Sequence, residues 1–167
     1  ARKLPQHGLD IAIQAYREAI RLSPERDDAY YCLGNLLSDQ DDIAAAEQMY
    51  RQSIQLNPNQ QLAWHNLGRM LSFQDRHSEA VPMLRNAVLL DACHADAWCN
   101  LGLAWMAQSK FDNAMGCFHQ AIALDGNHAP THINLGNALI SNLQPDEAIQ
   151  YLERGAALEA SSANSLW

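Results

Sequence analysis

Shifted by 34 residues, the chain lies on top of itself. Alanines recur at Ala12, Ala46, Ala80, Ala114 and Ala148, and Leu-Gly pairs at Leu33-Gly34, Leu67-Gly68, Leu101-Gly102 and Leu135-Gly136. A large ring stands three residues before each of those leucines, at Tyr30, Trp64, Trp98 and His132. Four residues after each alanine comes Tyr16, Tyr50, Leu84, Phe118 or Leu152. Pro24 and Pro58 close the first two units, and Ala92, Gly126 and Ala160 take that place later. A unit of this length is too small to bury its own apolar stripe, so neighbouring units must stack and stability becomes a sum of nearest-neighbour contacts.

The local pattern says what each unit is made of. Ala29, Tyr30, Leu33 and Leu37 fall on one stripe at helical spacing, as do Ile43, Ala46, Tyr50 and Ile54. The periodicity predicts a lone helix over 9–22 and then helix pairs over 28–40/43–56, 62–73/77–90, 96–108/111–124 and 130–142/145–158. The expected units are an irregular segment at 1–8, the second helix of a truncated repeat at 9–26, repeats at 27–60, 61–94, 95–128 and 129–160, and a tail at 161–167. Asp41 and Asp75 precede second helices, where a carboxylate can cap free amides. Pro82 removes a backbone donor inside a helix, which predicts a kink over residues 78–82. Gly34, Gly68, Gly102 and Gly136 each cost roughly 1 kcal/mol relative to alanine in a helix, so a close approach of the partner helix must offset them. The open flank of the lone helix and the lack of a polar capping helix read as the ends of a segment of a longer protein, and predict end-to-end self-association.

These residues match the tetratricopeptide pattern W-x-x-L-G-x-x-Y, A-x-x-x-F, P at the length of that repeat. The chain resembles that family from about Leu9 to Ala160. The resemblance implies an all-α, right-handed superhelical solenoid of antiparallel helix pairs, about four full repeats plus one preceding helix, that acts as a binding surface. Three features depart from the pattern. Leu37, Leu71, Trp105 and Leu139 fill the slot usually given to tyrosine. Asp41, Asp75, Ser109 and Leu143 stand where a turn glycine is common, and Gly155 replaces a small alanine.

Composition narrows the function. With 11 Lys+Arg against 19 Asp+Glu the formal charge is −8, which argues against a nucleic-acid binder whose affinity must come from phosphate neutralisation. No apolar run is long enough to span a bilayer. Cys32, Cys93, Cys99 and Cys117 are too sparse for a disulfide scaffold, which makes a reducing, cytoplasmic compartment the expectation. Residues 86–153 hold seven carboxylates and only Lys110 as a cation. That stretch reads either as a solvated acidic face or as a means of steering a basic segment.

In such a stack the first helices line the concave surface. The stripe facing the groove includes Tyr31, Asn35, His65, Asn66, Arg69, Phe73, Asn100, Asn134 and Asn137. Asparagine precedes Leu-Gly at Asn66, Asn100 and Asn134, forming a ladder whose rungs lie roughly 10 Å apart, close to three residues of extended chain. An amide donates and accepts, so the ladder can hold peptide main chain. Alternatively, these asparagines serve solubility or bonds within the solenoid. An inner asparagine ladder is similar to that of the tetratricopeptide region of O-linked N-acetylglucosamine transferases. The family's lysine- and arginine-bearing clamp for acidic chaperone tails is not matched, because Tyr31, Asp96 and Asn100 occupy slots that need cations. Tyr31, Phe73, Leu103, Met106, Ile133 and Ile140 read either as apolar groove or as core.

His128 and His132, or Cys93, His94 and Cys99, have spacings that permit a metal, but packing explains them better, and neither a metal nor another cofactor is expected. No nucleophilic centre stands out. The leading expectation is a non-catalytic protein–protein interaction scaffold that binds a peptide or protein segment, basic or apolar, with no nucleic acid and no membrane. The alternative is the substrate-recognition arm of a larger enzyme such as a glycosyltransferase.

Overall fold

The computed structural model describes residues 6–164, and among these every regular element is a helix. They are α1 (Gln6–Leu22), α2 (Asp27–Asp39), α3 (Ile43–Leu56), α4 (Gln61–Phe73), α5 (His77–Leu90), α6 (Ala95–Ala107), α7 (Phe111–Leu124), α8 (Ala129–Ser141) and α9 (Pro145–Asn164). Each even-numbered helix packs on the odd-numbered one that follows it, and each pair packs on the next. Helix α6 also touches α4 on one side and α8 on the other, whereas α3, α5, α7 and α9 make no comparable mutual contacts. The first helices therefore form the inner wall of an all-α solenoid.

The 34-residue spacing appears directly in the packing. Ala46, Ala80, Ala114 and Ala148 are fully buried or nearly so, as are Leu33, Leu67, Leu101 and Leu135. The recurring glycines sit where the partner helix comes close. A Cβ on Gly102 would lie 2.5 Å from Phe118 Cε1, and one on Gly34 would lie 2.8 Å from Tyr50 Cε1. No side chain fits there without displacing an aromatic ring. In α1, Ala12 and Tyr16 occupy the slots of Ala46 and Tyr50 but are only half-buried, since no first helix covers them among the described residues.

All four turns within the pairs are built alike. Asp41, Asp75, Ser109 and Leu143 have φ between 57° and 65°. The following amides at Asp42, Arg76, Lys110 and Gln144 donate to the carbonyls of Leu37, Leu71, Trp105 and Leu139 at 2.9–3.0 Å. These are Schellman closures with a left-handed residue at C′ and no glycine. The capping expectation is corrected by one residue: Asp42 accepts from the Ala45 amide, and Arg76 precedes α5 without a side-chain cap. Asp41 and Asp75 are held in the left-handed turn, where short polar residues are tolerated.

The turns between pairs use a different device. Asn57, Asp91 and Asp125 each accept the amide two residues on at 3.0 Å. Trp64 and Trp98 donate their indole N–H to the turn carbonyls of Pro58 and Ala92, and His132 Nε2 makes the same bond to Gly126. His132 thus replaces tryptophan in bonding as well as position, and it is buried. Helix α5 runs unbroken from His77 to Leu90 through Pro82. Residues 6–8 belong to α1 and residues 161–164 to α9, both outside the helical spans that periodicity assigns, because an apolar stripe does not mark where a solvated helix end stops. Residues 1–5 and 165–167 lie outside the described residues.

Candidate functional site

On the inner wall, three adjoining hollows of about 300, 360 and 350 Å³ share a single residue, Arg69 of α4. The first lies among α2, α3 and α4 and is lined by Tyr50, Asn66 and Phe73 among others. The second lies between α4 and α6, with Phe73, Leu103, Met106 and Ala107 as its apolar wall and Asn100 at its edge. The third holds His65, Asn66, Asp96, Cys99, Asn100 and His128. Arg69 is the only lysine or arginine in any of the three linings, and no carboxylate pairs with it among the described residues. Its guanidinium carbon lies 5.9 Å from the centre of the Phe73 ring, which is 80% exposed.

The asparagines are half-buried, and each is tied to the preceding repeat. Asn66 Nδ2 donates to Asn35 Oδ1 at 2.9 Å, and the same oxygen accepts the Tyr50 hydroxyl at 2.8 Å. Burial is the main reason the Tyr50 phenol is pushed up to about 12, followed by the nearby Tyr31. Asn100 Nδ2 lies 2.9 Å from His65 Nε2, and because the amide nitrogen can only donate, the His65 proton sits on Nδ1. Asn134 Nδ2 lies 3.9 Å from Cys99 Sγ, which also takes the Thr131 hydroxyl proton. His128 Nδ1, 2.6 Å from Thr131 Oγ1, donates to that hydroxyl. One N–H of each rung is therefore used inside the solenoid, and each amide oxygen remains as an acceptor for something else.

His65 is 7% exposed and is pulled down to about 4, first by burial, then by His94 and Arg69, against a small opposing pull from Asp96. Its ring meets the His94 ring edge-on at 4.6 Å, and Gln61 Nε2 donates to His94 Nδ1 at 2.6 Å. His65 is thus a neutral platform under Asn100.

Of the residues singled out in the sequence, His65, Asn66, Arg69, Phe73 and Asn100 converge on these hollows. Asn35 lies beneath them as an acceptor, Tyr31 is half-buried against Tyr50 at 6.3 Å, and Asn134 and Asn137 line none of the three. Phe73 and Ile140 are exposed, while Leu103, Met106, Ile133 and Tyr31 are half-buried. Sequence reasoning missed Ser72, His77 and His128 as lining residues. The i, i+3 spacing from Arg69 reaches Ser72, but His77 and His128 come from the starts of other helices and carry no such signal. Three of the seven carboxylates in the acidic stretch serve the scaffold, Asp91 and Asp125 holding turns and Asp112 accepting from Asn142, and Asp96 is the one of the seven that lines a hollow.

Family models described as tetratricopeptide repeat match residues 27–60, 95–128 and 49–81, and one described as TPR repeat matches 9–41. No curated protein matches the chain. Solved structures with the same fold include MamA, 23% identical over 93% of this chain and 91% of that one with a TM-score of 0.87. A MamA 41-end chain from Desulfovibrio magneticus RS-1 is 22% identical over 92% and 86%, with a TM-score of 0.85. YrrB, described as a TPR protein with an unusual peptide-binding site, is 21% identical over 92% and 79%, with a TM-score of 0.84. No helix among the described residues is long and apolar enough to cross a membrane.

Proposed function

This chain belongs to the tetratricopeptide repeat family, and from that premise we propose that it is a non-catalytic interaction scaffold whose inner groove holds an extended segment of a partner protein. The observation that carries the reading is the continuity of the three hollows through Arg69, with Asn66 and Asn100 at their shared borders. An extended chain needs acceptors and donors along its length, because its own amides and carbonyls are unpaired. The free oxygens of Asn66 and Asn100 accept its N–H groups, Arg69 and the remaining amide hydrogens donate to its carbonyls, and Phe73, Leu103 and Met106 contact its side chains. Asn134 extends the ladder toward α8, with Asn137 beside it and Asn35 holding Asn66 in place.

Short random peptides displayed without a free C-terminus provide ligands for the test. Replacing Asn66, Asn100 and Asn134 together by alanine weakens binding of the enriched peptides by about tenfold or more, as each lost bond is worth about 0.5–1.5 kcal/mol. Helicity by circular dichroism stays at the wild-type level well below the melting temperature. Unchanged affinity in that titration removes the ladder from the binding surface.

A further inference from the structure

Resting on the groove reading above, we infer that the segment bound there presents one carboxylate side chain to Arg69 and, two residues away, a large apolar side chain to the hollow between α4 and α6. Three observations carry this. Arg69 is an exposed guanidinium with no ion pair among the described residues, and it is the only Lys or Arg in the linings of all three hollows. Arg51 and Arg76 contrast with it, both being engaged with Glu47 and Glu79, and the cations that likewise lack an ion pair among the described residues, such as Arg85 and Lys110, line none of the three hollows. An unpaired guanidinium at the meeting point of three hollows is a fork that fits a carboxylate with two parallel bonds.

The second observation is the wall next to it. Phe73, Leu103, Met106 and Ala107 enclose about 360 Å³ beside Arg69, and an 80% exposed phenylalanine on the inner wall of a solenoid is an apolar surface without a cover. Phe73 stands four residues, just over one helical turn, beyond Arg69, a distance of about 6 Å along α4. Side chains two apart on an extended chain point to the same side and are separated by roughly 6.5 Å. The acid and the apolar side chain therefore fit at positions i and i+2, in either chain direction.

The third observation limits the acid to one. Asp96 shares the third hollow with Arg69, and no cation pairs with it among the described residues. A second carboxylate on the His128 side of Arg69 meets like charge, so acidic runs are disfavoured while a single acid is accepted. The overall charge of −8 favours basic partners at long range. The acid proposed here is a local requirement within such a partner.

Selection of the displayed random peptides on the full chain and on Arg69→Met tests this. Arg69 is exposed, so the substitution leaves the helices intact by circular dichroism. On the wild type, enriched peptides carry Asp or Glu two positions from Leu, Met, Phe or Ile. On Arg69→Met the apolar preference persists and the acid preference disappears. An enriched peptide binds the wild type about tenfold or more tightly than its Glu→Gln form, and that ratio falls to near one in Arg69→Met. Enriched peptides without an acid preference, or an acid preference that survives Arg69→Met, overturn this inference and leave the groove reading standing. If no peptide is enriched on the wild type, or enrichment is indifferent to the asparagine triple substitution, the groove reading fails and takes this inference with it.

Discussion

Asn66 donates its side-chain amide to Asn35 across the boundary between two repeats, at 2.9 Å. The accepting oxygen also takes the Tyr50 hydroxyl, so one asparagine joins α2, α3 and α4. The rungs are thus part of the joint between repeats, Asn66 and Asn100 also line the hollows, and each rung is oriented by the residue below it.

Asn35→Ala is expected to destabilise the chain by about 1–3 kcal/mol, since it strands the hydroxyl of a tyrosine that is 2% exposed. Urea denaturation followed by circular dichroism reads the loss. In a Tyr50→Phe background the same substitution costs less, because the buried hydroxyl is gone. Equal costs in both backgrounds contradict the hub role.

His65 sets a pH window. Its folded value of about 4 lies below its ordinary 6.5, so the unfolded chain binds the proton more readily. Stability is then full above about pH 6.5 and falls as pH drops toward 4, by about 3 kcal/mol in all. His65→Gln flattens this part of the profile. Glu47 and Glu79, whose values are lowered chiefly by hydrogen bonds from Arg76, lose their contribution only as pH falls below the ordinary carboxylate range. A thermal-melt series from pH 7 to 4.5 that is the same for wild type and His65→Gln rules out this assignment.

Leu143 holds φ at 61° with its side chain 89% exposed. Left-handed backbone costs a non-glycine residue about 1–2 kcal/mol, and this leucine recovers little of it by burial. Leu143→Gly is expected to raise stability by about 1 kcal/mol despite the added freedom of the unfolded chain. Asp41→Gly gains less, because aspartate tolerates the conformation better. A melting temperature lowered by Leu143→Gly contradicts the strain argument.

Two glycines give opposite expectations. Gly102→Ala drives a methyl to within 2.5 Å of the fully buried Phe118 and is expected to cost about 1–3 kcal/mol. Gly116→Ala meets nothing within 4 Å and is expected to stabilise by about 0.5–1 kcal/mol through helix propensity. Phe118→Leu partly rescues Gly102→Ala, and a denaturant midpoint for each variant decides the matter.

The recurrence of alanine, Leu-Gly and a bulky ring every 34 residues was enough to determine the helix pairs, their order and the glycine contacts. Those features repeat because each depends on a contact within one unit or with its neighbour, so the same residue type serves the same purpose at every turn of the solenoid. The sequence also marked Asp41, Asp75, Ser109 and Leu143 as turn positions without glycine, and the backbone is left-handed at all four. It misassigned the cap, since adjacent Asp41 and Asp42 are alike until the turn geometry separates them.

What each rung bonds to was decided only by tertiary structure. Asn66 finds Asn35, Asn100 finds His65 and Asn134 finds Cys99, although the three asparagines hold the same place in the repeat. Those partners lie 31 or 35 residues away and differ in size and chemistry. The convergence of three hollows on Arg69 has the same origin. A periodic pattern fixes which face a side chain leaves from, but the space it enters is shaped by the unlike residues of two neighbouring repeats.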